Sequence, residues 1–169
     1  MPQHDLPAER GREEGSDRRA RFVLRARNGP PRPRLLLVDD EPLVGRMLSH
    51  AARECGFDPA VAGDMMSFRR EYEAAEPEVV LLDLSLKGGD GIELMRFLAE
   101  KKSRALVLIV SGFDQRVIES AERLGKALGL RIGGCLAKPI FVKELADAIE
   151  AGRRIVARER ETSHGDACL

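Results

Sequence analysis

The chain has 169 residues, with 28 basic and 28 acidic side chains, 43% hydrophobic residues and no Trp. That length fits one domain with tails and is ample for a hydrophobic core. Zero formal net charge argues against a nucleic-acid binder working by bulk positive field, and against a wholly acidic, disordered chain.

The zero is a sum of unlike parts. Residues 1–34 carry nine arginines against five acids, for +4, and residues 158–169 carry two arginines against three acids, for −1, so 35–157 holds the remaining −3. The first stretch shows no apolar periodicity beyond Phe22-Val23-Leu24 and ends in a proline cluster that stops any helix. It reads as a disordered basic arm over 1–33. The run Arg18-Arg19-Ala20-Arg21-Phe22-Val23-Leu24 resembles a twin-arginine signal, but Arg25, Arg27 and the Pro30–Arg34 run follow where an apolar segment is needed. Export is therefore not expected. Cys55, Cys135 and Cys168 form no C-x-x-C and no paired pattern, which suits a reducing cytoplasm. No apolar run reaches the roughly 18 residues of a membrane span, so no membrane partner is expected.

From residue 35 the punctuation is regular. Leu35-Leu36-Leu37-Val38 is a continuous apolar run ending in acids, the pattern of a strand buried on both faces. Pro42 suits a first helical turn, Leu43, Val44, Met47, Leu48, Ala51 and Cys55 recur at helical spacing, and Gly56 closes the helix. Pro59–Ala62 is a weak second strand, and Asp64 caps a helix expected to run to about Ala75. Glu78–Asp83 is a third strand, followed by a helix with Ile92, Met95, Leu98 and Ala99 on one face. Ala105–Val110 is the most apolar strand. Val117, Ile118, Ala121, Leu124 and Leu128 mark a fourth helix, Arg131–Ala137 a fifth strand, and Leu145, Ala148, Ile149 and Gly152 a fifth helix ending near Ala157. The rest, 158–169, reads as a flexible tail. Five strand–helix alternations imply an α/β domain over 34–157 with a parallel sheet covered by helices on both faces, and functional groups gathered at the carboxyl ends of the strands.

Those ends are polar. Strand one ends at Asp39-Asp40-Glu41, strand three at Asp83, strand four at Ser111 and strand five at Ala137-Lys138-Pro139. Carboxylates held about 4 Å apart at an effective dielectric near 20 repel by roughly 4 kcal/mol per pair. A divalent cation is the natural remedy: Mg²⁺ prefers oxygen ligands and takes one or two carboxylates plus phosphate oxygens. With Lys138 adding a further positive charge, such a site can accept a phosphoryl group, and a carboxylate can serve as the nucleophile. No G-x-x-x-x-G-K-[ST] cradle is present, so a nucleoside triphosphate is not expected.

The segments Leu35–Pro42 (LLLVDDEP), Leu81–Leu94 (LLDLSLKGGDGIEL), Val110–Gly112 (VSG) and Leu136–Ile140 (LAKPI) resemble the receiver domain of bacterial two-component response regulators. The resemblance implies a flavodoxin-like (βα)5 fold with strand order 2-1-3-4-5. It implies that Asp83 is the phosphoacceptor, and that Asp40, Asp83 and the backbone carbonyl of Ser85 bind Mg²⁺, with Asp39 acting through a water. Ser111 and Lys138 would contact the phosphoryl group, and the bond before Pro139 would be cis, aiming Lys138 inward. The donor would be a sensor histidine kinase or a histidine phosphotransfer protein. The resemblance also implies output to a downstream protein through the helix 4–strand 5–helix 5 face. Because only 158–169 follows the last expected helix, the chain reads as a stand-alone receiver, and no direct nucleic-acid contact is expected.

Three features depart from the pattern. Leu86-Lys87 replaces the usual Met-Pro after the phosphoacceptor loop, Cys135 stands where Tyr or Phe is usual, and the stretch from Ser111 to Lys138 is longer. They motivate one alternative, a phosphorylation-independent adaptor. The other, a haloacid-dehalogenase-type phosphohydrolase, needs an acid two residues after the nucleophile, and that position is Ser85. His50 is read as a surface or boundary residue, and His4 and His164 as tail residues. Met65-Met66 is read as core filling, and Glu41 as a helix-start acid or a tuner of dephosphorylation.

Overall fold

The computed structural model describes residues 31–87, 91–112 and 114–165. The expected arm over 1–33 and Cys168 thus lie almost wholly outside the described residues, as does His4. Among the described residues ten elements alternate: β1 (Arg34–Val38), α1 (Pro42–Glu54), β2 (Asp58–Ala62), α2 (Met65–Ala74), β3 (Val79–Asp83), α3 (Gly91–Glu100), β4 (Leu106–Ser111), α4 (Gln115–Ala127), β5 (Arg131–Ala137) and α5 (Val142–Gly165). The strands form one parallel sheet in the order β2-β1-β3-β4-β5. This is the flavodoxin-like arrangement expected from the sequence.

The continuous apolar runs fill two cores at once, because side chains alternate across a strand. Leu36, Val38, Val80, Leu82, Val107 and Ile109 face one layer with Phe68 and Tyr72 of α2, Met95 and Leu98 of α3, and Ala121 of α4. Leu35, Leu37, Val79, Leu81, Leu108 and Val110 face the other, with Leu48 and Ala52 of α1 and Leu145 and Ile149 of α5. Burial on both faces leaves only the strand ends for polar groups, which is why the functional side chains collect there.

Helix ends follow local chemistry. Pro42 opens α1, and Gly56, at φ 85°, donates its N–H to the Arg53 carbonyl to close it. Asp64 accepts from the Ser67 N–H at 2.7 Å while Ser67 Oγ accepts from the Asp64 N–H at 3.2 Å, a reciprocal cap that starts α2.

Two expectations are corrected. Helix α5 does not end near Ala157 but continues to Gly165, so much of the stretch read as a flexible tail is helical. The charged run Arg158-Glu159-Arg160-Glu161 is built of strong helix formers, and no Pro or Gly interrupts it before Gly165. Met65 packs on the core, but Met66 is 83% exposed rather than filling it, because it falls on the outer face of α2. Among the described residues, no helix is long and apolar enough to cross a membrane.

Candidate functional site

Asp39 and Asp40 follow β1 directly, Asp83 is the last residue of β3, Ser111 the last of β4, and Lys138 follows β5. The sheet brings these residues to one edge. Asp39 and Asp83 are each 2% exposed and Ser111 is fully buried, so little water reaches their charges and dipoles. One carboxylate oxygen from each of Asp39, Asp40 and Asp83 lies within 4.8 Å of the others.

Cations and amides hold this cluster. Lys138 Nζ donates to Asp83 Oδ2 at 2.7 Å and to Asp39 Oδ2 at 3.1 Å. The Ser85 N–H donates to Asp83 Oδ1 at 2.8 Å, and the Glu41 N–H to Asp39 Oδ1 at 2.8 Å. Lys87 Nζ lies 3.6 Å from Asp40 Oδ2. Helix α1 begins directly after Asp39, Asp40 and Glu41, so its positive N-terminal end lies beside Asp39, which accepts the Glu41 N–H. Burial alone would lower the Lys138 pKa, but hydrogen bonds and charges from Asp83 and Asp39 outweigh it and hold the ammonium above its ordinary range. The Lys138 N–H donates to the Ser111 carbonyl at 2.7 Å, and the Lys138–Pro139 peptide is cis.

The donor set fits a hard divalent cation. It consists of oxygens only, three of them anionic and clustered, whereas a softer metal would call for His or Cys ligands.

Other residues fall elsewhere. Glu41 is the N-cap of α1, although its side chain makes no capping bond, and His50 is exposed on that helix. Cys135 in β5 pairs with Ile109 of β4 and leans toward α4, its Sγ 3.9 Å from Glu122 Oε2. Burial first, and the Glu122 charge second, raise its thiol pKa. The thiol should therefore stay protonated at neutral pH, which speaks against a redox role. Alkylation of Cys135 by iodoacetamide, followed by peptide mapping, is expected to be slower at pH 8 than in an unstructured peptide. Equal rates would contradict this.

Sequence reading missed the two amide donors and Gly91. A Cβ on Gly91 would sit 2.7 Å from Leu84 Cα and 2.9 Å from the Asp83 carbonyl oxygen, so α3 starts hard against the backbone that carries Asp83. The Asp90-Gly91 pair before an apolar helical face was the available signal.

Comparison with known proteins agrees with this geometry. Residues 35–150 match the family described as response regulator receiver domain. The chain is 34% identical over 125 residues to the DNA-binding response regulator MtrA of Mycolicibacterium smegmatis, covering 73% of this chain and 51% of that protein. It thus spans about half the length of the curated relatives it matches. These relatives lend no support to the expectation that nucleic acid is not contacted. A response regulator from Colwellia psychrerythraea superposes with TM-score 0.62 at 28% identity, covering 75% of this chain and 98% of that one. The signal receiver domain of a putative Luxo repressor protein from Vibrio parahaemolyticus gives TM-score 0.68 at 18% identity, with 78% and 97% coverage. With its motifs at the strand ends, its sheet order and the family match over most of its length, the chain belongs to the response regulator receiver domain family.

Proposed function

We propose that Asp83 accepts a phosphoryl group from a phosphohistidine on a sensor histidine kinase or histidine phosphotransfer protein. The observation that carries this reading is the buried Asp83 carboxylate, fixed by the Ser85 amide and the Lys138 ammonium beside two more carboxylates. A carboxylate oxygen of Asp83 bonds to phosphorus as the P–N bond to the donor imidazole breaks. The electron pair stays on the imidazole nitrogen, which takes a proton from solvent. Lys138 meets the charge on a phosphoryl oxygen, and the Ser111 hydroxyl lies at the neighbouring strand end to donate to another. Asp40, Asp83 and the Ser85 carbonyl would hold Mg²⁺ directly, with Asp39 acting through a water. When bound, that ion supplies neutralisation of phosphoryl charge.

Output goes to a downstream protein through the face of α4, β5 and α5. Cys135 is too small for an inward-swinging aromatic, so the signal would pass through backbone shifts around Ser111 and Lys138. The phosphorylation-independent adaptor reading rests on the same cysteine, on Lys87 and on the longer stretch from Ser111 to Lys138. Beryllofluoride with Mg²⁺ separates the two: shifts of the Ser111 and Cys135 amides favour the switch, and unmoved signals favour the adaptor. The phosphohydrolase alternative lacks its general acid and finds no support in the family match.

Acetyl phosphate with Mg²⁺ is expected to add one phosphoryl group to the intact protein, and none when EDTA removes the ion. Intact-mass spectrometry reads both arms. Equal uptake with and without Mg²⁺ would contradict the cation's part.

A further inference from the structure

We propose that Lys87 is a built-in counter-ion that competes with a divalent cation for Asp40 and so sets the cation affinity of the acidic cluster. This rests on the cluster being the cation site proposed above.

The charges are divided between two ammonium groups. Lys138 hydrogen-bonds Asp39 and Asp83, so neither of those needs Lys87. Asp40 receives nothing from Lys138, and its only ion pair among the described residues is with Lys87, at 3.6 Å. The Asp40 side chain is 14% exposed, whereas that of Lys87 is 87% exposed. The ammonium therefore approaches from the solvent side on a flexible stem and can withdraw into water when a cation takes over the Asp40 charge. A cation bound to Asp40 must face this positive charge at close range or displace it. The mobile partner is the lysine, because its side chain is largely in water while that of Asp40 is mostly covered.

The Lys87 ammonium is exposed and lies 3.6 Å from the carboxylate, so its effect is modest and sensitive to salt. Magnesium titrations at fixed, low ionic strength are followed by the amide signals of Glu41 and Ser85, which bond to the cluster carboxylates. Lys87→Ala is expected to bind Mg²⁺ about two- to five-fold tighter than wild type. Lys87→Glu should bind tighter still, and Lys87→Arg should stay near wild type. The gap between wild type and Lys87→Ala should narrow as salt rises. In an Asp40→Asn background, Lys87→Ala should no longer change affinity, since the double-mutant cycle removes the shared contact.

Two results would overturn the proposal in distinguishable ways. If Asp40→Asn weakens Mg²⁺ binding but Lys87→Ala leaves it unchanged or weaker, the cluster is the cation site and Lys87 is not its competitor. If Asp40→Asn and Asp83→Asn both leave the magnesium response unchanged, the cation-site reading fails, and this inference fails with it.

Discussion

Lys138→Met is expected to destabilise the cation-free protein by about 3 kcal/mol, within the range for removing one partner of a buried ion pair. The loss falls toward the lower end because a fifth of the Lys138 side chain still meets water, even though Asp39 and Asp83 do not. Methionine keeps most of the stem's packing, so the change is mainly electrostatic: three clustered carboxylates lose the ammonium that bonds two of them. Added Mg²⁺ should recover part of the loss if, as proposed, it binds the folded cluster and not the unfolded chain. Phosphoryl uptake should fall by about a hundred-fold, the scale of removing one charge-stabilising donor.

The pH dependence of this contribution has a definite sign. The Lys138 pKa is raised on folding, so its stabilisation is fully present below the unfolded lysine value of about 10.4. It is lost as pH rises through the higher folded value. Urea unfolding should therefore show a constant gap between wild type and Lys138→Met across neutral and mildly alkaline pH, closing only in strong alkali. A gap that closes near neutrality would contradict the assignment.

Gly91→Ala is the second large effect. Alanine at the start of a helix usually gains up to about 1 kcal/mol over glycine. Here the added Cβ meets Leu84 Cα at 2.7 Å and the Asp83 carbonyl at 2.9 Å, and backbone atoms cannot rotate away as a side-chain end can. Overpacking costs about 1–3 kcal/mol, and the upper end applies. The net loss should therefore be about 2 kcal/mol. The displaced segment carries Asp83 and the amide of Ser85 that orients it, so magnesium binding should weaken as well. Gly63→Ala is the control, since nothing lies within 4 Å of its Cβ position. Its urea midpoint should stay near wild type, within the usual ±0.5 kcal/mol or so of a surface change. Similar midpoints for the two variants would contradict the close-approach argument.

Strands β1, β3 and β4 were legible because they are buried on both faces and so appear as unbroken apolar runs. The ends of α1 and α2 were legible because Pro42, Gly56 and Asp64 act locally. Asp39, Asp40, Asp83, Ser111 and Lys138 were legible as a set because a parallel sheet delivers every strand end to one edge.

What stayed hidden depends on distance rather than residue type. Backbone amides of Glu41 and Ser85 carry no sequence signature, and the need for glycine at 91 appears only when α3 is docked on β3. Lys87 was legible as a charge near the site, but its pairing with Asp40 is a property of the folded loop. The length of α5 was underestimated because an alternating charged run reads as tail when its helix propensity is ignored. Met66 was assigned to the core because hydrophobicity names a residue's preference, not the face on which helical phase places it.

On the proposed function, Asp83 itself carries the phosphoryl group. Borohydride reduces an aspartyl phosphate to homoserine, leaving a stable mark at the acceptor. After treatment with acetyl phosphate and Mg²⁺, reduction and peptide mapping should place homoserine at position 83, and Asp83→Asn should yield none. Homoserine at another aspartate of the wild type, or undiminished phosphoryl uptake by Asp83→Asn, would contradict the account.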